Sequence, residues 1–209
     1  PNGAWRDGGA ATGEDGGEDG AAGDGSGAGE RHREAVRAAR EAGLTVIGYT
    51  GAMGPPNALR RLIELQAWWD ARDEKPSYRL LLVGEGPERE ELETVSSRAR
   101  NRVFEVLPRL EKSAVSAFLQ EVDAGFIVWN RADLYRYGVS PNKIWDYFAA
   151  SRPVLWAGEV AADPVSASGA GLVAPRTDPE SLDALFSRFA ETGAAERTAM
   201  GARGAEYLR

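Results

Sequence analysis

From Leu44 onward the chain alternates short, strongly apolar runs with stretches of helical spacing, and that alternation leaves few folds open. Continuous apolar runs bury both faces of a strand, so they belong to a parallel sheet covered by helices on either side. Residues 44–49 (LTVIGY), 78–83 (YRLLLV), 103–107, 123–129 (DAGFIVW), 153–156 and 170–173 predict six strands. Between them, residues 58–71 keep Leu59, Leu62, Ile63, Leu65 and Trp69 at helical spacing, and further helices are predicted at 89–100, 112–120 and 140–151. Helices at 179–190 and 195–209 finish the chain, and one at 31–42, stopped by Gly43, precedes the first strand. The fold class is therefore α/β: a Rossmann-like parallel sheet of about six strands with helices on both faces. In such sheets ligands sit beyond the carboxyl ends of the strands, so the loops at 50–57, 84–88, 107–111 and 130–142 are expected to share one rim.

Ahead of the alternation lies DGGAATGEDGGEDGAAGDGSGAGE, residues 7–30, with no aromatic and no Ile, Leu or Val. Such a tract cannot offset its ordering entropy by burial, and it is read as a disordered Gly/acid-rich insert. It also explains the net charge of -7, since it holds seven acids and no base and leaves 25 acids against 25 Lys and Arg elsewhere. A near-neutral folded part carries neither a nucleic-acid footprint nor a basic membrane patch. No run of 18 apolar residues is present to span a bilayer. With no cysteine and one histidine, a thiolate metal site, a histidine-built metal site and a Ser/His triad are all disfavoured. His32, within ERHREAVRAARE, is expected on a solvated helix face.

The stretch RYGVSPNKIWDYFAASRP, residues 136–153, carries the most chemistry. Ser140 suits an N-cap and Pro141 a first helical position, so free amides point outward there. Lys143 is a cation where the helix dipole disfavours one, a conflict that a bound anion relieves. Asp146, one turn on, suits two ribose hydroxyls, while Ile144, Tyr147 and Phe148 read as core. The loop TGAMGPPN puts Gly51 and Gly54 after a strand and before a helix, either to admit a phosphate to backbone amides or simply to make a tight turn. Met53 there reads as rim packing. Glu85 in VGEGPERE superficially resembles a ribose-gripping acid, but it lies 34 residues beyond Gly51 and the GxGxxG spacing is absent, so a nicotinamide cofactor is disfavoured. Only three lysines occur; Lys112 opens a helix and is expected to face the same rim, and Lys75 is expected in solvent.

With these residues in place, VIGYTGAMG, LLLVGEGPEREEL and SPNKIWDYFAASRPVL followed by AGLVAPRTDPESL resemble the C-terminal, donor-binding half of a retaining glycosyltransferase of the GT-B fold, family 4, over residues 44–209. The resemblance implies a UDP-sugar or other nucleotide-diphosphate sugar as donor, with no cofactor and no metal required. The base would rest against Leu107, Pro108 and Arg109. Asp146 would hold the ribose. The diphosphate would meet Gly51, Gly54, Val139, Ser140, Asn142 and Lys143, of which Asn142 and Lys143 would act in catalysis by stabilising the departing diphosphate. The family's first acidic position falls at Gly138, and the Arg and Lys that many relatives carry after the first strand fall near Ala52 and Asn57. The YGVSPNKxxDY pattern resembles a subgroup acting on amino-sugar and related donors in surface-polysaccharide assembly.

The same resemblance implies that residues 1–6 are the remnant of an interdomain linker and 31–209 the donor-binding domain. An N-terminal acceptor-binding domain would then precede Pro1, and the piece alone would be inactive. The acceptor would be a glycan or lipid-linked molecule, met in the cytoplasm and at the inner face of the membrane through the missing domain. Two other readings share the ligand: a non-catalytic nucleotide-binding module, and half of a sugar-nucleotide epimerase.

Overall fold

The computed structural model describes residues 25–129, 142–159 and 163–209. In chain order the elements are α1 (Gly25–Glu41), β1 (Thr45–Thr50), a 3-10 turn (Pro55–Asn57), α2 (Arg61–Asp70), β2 (Tyr78–Val83), α3 (Arg89–Arg98), β3 (Phe104–Leu107), α4 (Lys112–Glu121), β4 (Ala124–Val128), α5 (Asn142–Ala149), β5 (Val154–Ala157), α6 (Pro164–Ser168), β6 (Gly171–Ala174), α7 (Pro179–Glu191) and α8 (Ala194–Tyr207). The six strands form one all-parallel sheet in the order β3-β2-β1-β4-β5-β6. All six predicted strands are present to within a residue or two, and the α/β expectation holds. Helix α1 begins at Gly25, so it takes in residues 25–30 of the tract read as an insert.

Period-two alternation assigns each strand side chain to one of two cores. Ile47, Tyr49, Leu80, Leu82, Phe126 and Leu155 pack with Leu62, Leu65, Leu92, Leu182 and Phe186 beneath α2, α3 and α7. Val46, Leu81, Val83, Ile127, Val154 and Trp156 pack with Val36, Phe118, Leu119, Ile144, Phe148 and Val165 beneath α1, α4, α5 and α6. The connections β1-α2-β2 and β2-α3-β3 use the first face, whereas α4 and α5 lie on the second. Strand order therefore reverses between β1 and β4, which is where an open parallel sheet leaves a crevice at its carboxyl edge.

That reversal is built on two glycines. Gly48 of β1 stands opposite Gly125 of β4. A Cβ at Gly125 would lie 2.6 Å from the Tyr147 ring, and one at Gly48 would lie 3.1 Å from Val122 and 3.2 Å from Phe118. The missing side chains let α4 and α5 sit close against the sheet. Gly125→Val is therefore expected to cost about 3 kcal/mol through overpacking a fully buried ring, read as a lowered urea midpoint with an unchanged slope.

Among the described residues no helix is long and apolar enough to cross a membrane.

Candidate functional site: the groove at the β1/β4 switch point

Tyr147 fixes α5 at the crevice. Its ring is fully buried, and its hydroxyl accepts from the Thr50 amide and donates to the Phe126 carbonyl, both at 3.3 Å, joining the end of β1 to β4. Burial pushes that hydroxyl up to about 12, so it stays a donor at any working pH. Lys143 lies one turn earlier on the same helix face, four residues before Tyr147, and seating the ring therefore aims the ammonium at the loop after β1.

That loop is held by close backbone approach. Gly51 donates its amide to the Val83 carbonyl at 3.0 Å, Met53 to the Glu85 carbonyl at 2.7 Å, and Glu88 to the Met53 carbonyl at 3.0 Å. A Cβ at Gly84 would stand 1.8 Å from the Gly51 carbonyl oxygen, and one at Gly86 would stand 2.3 Å from that of Met53. The two glycines of VGEGPE therefore admit the neighbouring loop. Met53, expected at the rim, is instead fully buried in the core.

Gly51 has φ of 144°, and a Cβ there would meet the Lys143 Cε at 2.8 Å. Lys143 lies across this glycine, its Nζ 4.9 Å from the centre of the Tyr49 ring and donating to Asn57 Oδ1 at 2.5 Å. Among the described residues it makes no ion pair, and burial pushes its pKa down from 10.5 to about 8. A half-buried ammonium beside backbone at the end of a parallel sheet, with no carboxylate paired to it among the described residues, is an arrangement that an anion would neutralise.

From Gly51 a groove opens towards α4. Thr50, Gly51, Lys112 and Val115 are common to two adjoining hollows of 340 and 320 Å³. The first continues along Gly84, Glu85, Arg109 and Leu110, and the second along Ser116, Leu119, Asp146 and Ala150. Lys112 thus stands between Arg109 and Asp146, on the rim expected of it. The structure gathers Gly51, Arg109, Asp146 and Lys143 at this edge. It leaves Gly54 behind, against Pro87, and Leu107 is buried, its carbonyl taken by Arg89. Pro108 likewise turns its carbonyl away, to His32. Gly138, Val139, Ser140 and Pro141 lie outside the described residues, and Asn142 is the first residue of α5.

Sequence reasoning set Thr50 and Leu110 on the rim only as members of the loops at 50–57 and 107–111, and missed Val115 and Ser116, which are ordinary residues placed by topology alone. It also misplaced His32. The imidazole is buried, with Nε2 2.9 Å from the Pro108 carbonyl and its ring edge-on to Phe118. Helix α1 packs on α4, so the face that looks charged in sequence is partly an interior one. Among the described residues no group of three His, Asp or Glu side chains is arranged to hold a metal ion.

A family described as "Glycosyl transferases group 1" matches residues 44–191. No curated protein matches. Solved structures do: WaaG, a glycosyltransferase involved in lipopolysaccharide biosynthesis, at TM-score 0.60 and 18% identity over 85% of this chain and 46% of its own. An E. coli protein described as trehalose-6-phosphate bound with UDP-2-fluoro glucose gives 0.63 and 12% over 84% and 43%. S. aureus TarM, in complex with fondaparinux, alpha-GlcNAc-glycerol and UDP, gives 0.61 and 12% over 79% and 32%. These likenesses establish the fold as that of GT-B glycosyltransferases. The chain spans under half the length of each.

Proposed function

We propose, for a chain that belongs to the glycosyl transferases of group 1, that this domain binds the nucleotide part of a sugar-nucleotide donor in the groove at the β1/β4 switch point. The observation that carries the reading is the Lys143 ammonium lying across Gly51, with no carboxylate paired to it among the described residues. The diphosphate sits there, against Lys143 and the amino end of α5 at Asn142, where cation and helix dipole both favour negative charge. Asp146 takes the ribose hydroxyls, and the base lies in the hollow beside Arg109 and Leu110. The UDP and UDP-sugar ligands of the TarM and E. coli structures support a uridine nucleotide as the first probe.

The reaction assigned is transfer of a hexosyl or amino-sugar residue with retention at the anomeric carbon. The bond from that carbon to the diphosphate oxygen breaks as a bond to the acceptor's hydroxyl oxygen forms on the same face; the hydroxyl proton passes to the departing diphosphate, whose developing charge is held by Lys143 and the α5 amides, without a protein nucleophile or a metal. Acceptor binding belongs to a further domain, and the product to glycan or surface-polysaccharide assembly on the cytoplasmic side of a membrane.

Calorimetric titration with UDP, GDP and ADP tests the reading. UDP is expected to bind, and Asp146→Ala to weaken it by about fivefold, the worth of one hydrogen-bonding carboxylate in a wet site. Absence of binding by all three nucleotides, or equal affinity in the variant, contradicts the assignment.

A further inference from the structure

We propose that Asn57 is a positioning residue for the donor diphosphate: its side-chain amide clamps the loop after β1 with one end and orients the Lys143 ammonium with the other. The inference rests on the nucleotide reading above for its ligand, and on geometry for its mechanism. Asn57 Nδ2 donates to the Ala52 carbonyl at 3.0 Å while Oδ1 accepts from Lys143 Nζ at 2.5 Å. The Tyr49 hydroxyl donates to the same Ala52 carbonyl at 2.6 Å. Loop and helix α5 are thereby joined through one amide, although they lie 86 residues apart in the chain.

Two further features bear on the residue. Asn57 closes the 3-10 turn Pro55–Asn57, whose next residue, Ala58, is buried in the left-handed region at φ 49° and donates its amide to the Pro55 carbonyl. A non-glycine residue is held there at a cost, and what it secures is the direction in which Asn57 leaves the turn. The chemistry of the amide matters as well. A neutral acceptor takes one of the three ammonium hydrogens and leaves the charge and two donors for an anion. A carboxylate at the same place would neutralise the cation, and an alanine would release a four-carbon stem into solvent.

Among the described residues, burial moves the two phenols that face Lys143 away from its range. Burial raises the Tyr49 hydroxyl well above its usual range and the Tyr147 hydroxyl to about 12. Glu88, next to the loop, has its carboxyl raised mainly by burial. Asp146 lies on the solvent side of α5.

The chain has three lysines, Lys75, Lys112 and Lys143, so side-chain NMR of lysine-labelled protein follows Lys143 directly. Asn57→Ala is expected to move the Lys143 midpoint up from about 8 towards its ordinary value, and Asn57→Asp to move it higher than the wild type through ion pairing. Asn57→Ala is expected to weaken UDP binding at pH 7.5 by about fivefold, the cost of one side chain ordered afresh. The same substitution made in Lys143→Met is expected to change UDP affinity by less than about twofold, because a residue acting through Lys143 has nothing left to orient. Equal losses in both backgrounds, or a Lys143 midpoint indifferent to Asn57, overturn the proposal. If UDP fails to bind the wild type while the midpoint still follows Asn57, the nucleotide reading fails and the clamp stands.

Discussion

Lys143→Met is expected to weaken UDP binding at pH 7 by about thirtyfold, the worth of about 2 kcal/mol for a charge-assisted contact in a half-buried site. Methionine keeps the apolar stem over Gly51 and Tyr49, so folding is expected to survive and the loss to report the charge. The pH dependence gives an independent reading. Lys143 is held near 8 by burial, so the free site loses its cation as pH rises through that value. A bound diphosphate is fully ionised above pH 7 and draws the proton back onto the ammonium. Affinity for UDP is therefore expected to fall above pH 8, by up to about tenfold per unit, with proton uptake visible as a buffer-dependent binding heat. The Lys143→Met protein is expected to show neither effect. The same shift acts on folding with a defined sign. The unfolded chain holds this proton up to 10.5 and the folded chain only to about 8, so the group adds stability as pH rises across that window.

Gly84→Ala is expected to give the largest loss of stability, on the order of 3 kcal/mol or more. Its Cβ would have to stand 1.8 Å from the carbonyl oxygen of Gly51, which is backbone and cannot swing aside as a side chain does. One of the two loops must retreat, breaking the bond from the Gly51 amide to Val83 or the pair that ties Met53 to Glu85 and Glu88. For a domain of this size such a cost lowers the melting temperature by about 10 °C. Because Gly51 underlies Lys143, UDP binding is expected to fall as well. Gly54→Ala is the matched control: its Cβ would meet only Pro87 and Pro56 at ordinary contact distance, and neither stability nor binding is expected to move appreciably.

The strands were legible because burial on both faces writes continuous apolar runs, and YRLLLV coincides with β2. The helical spacing of Leu59, Leu62 and Leu65 likewise reports a face that packs on β1 and β2. The pairing of β1 with β4 was not legible, since Gly48 and Gly125 leave no hydrophobic signal and declare themselves only against Phe118 and Tyr147. At the site, Lys143 stood out by its conflict with the helix dipole, and the structure supplies the reason it is tolerated: Asn57 and the Tyr49 ring share its charge. Asn57 stood out only as the place near which the resemblance sets a lysine of many relatives; its role as an acceptor for Lys143 was not legible, because a neutral amide after two prolines is an ordinary turn residue. The glycines of VGEGPE were visible and the spacing rightly spoke against a ribose-gripping acid there, but that another loop approaches them was not legible. His32 failed for a related reason, since α1 buries one edge of a face whose composition is charged.

The proposed site puts the nucleotide diphosphate across Gly51 under Lys143, with the ribose at Asp146. A crystal structure of the domain soaked with UDP measures this directly. The expected result is density for the diphosphate within hydrogen-bond distance of Lys143 Nζ, the ribose on the Asp146 carboxylate and the base beside Arg109 and Leu110. A diphosphate bound elsewhere, or a filled groove in which Lys143 remains turned away from the phosphates, would contradict it.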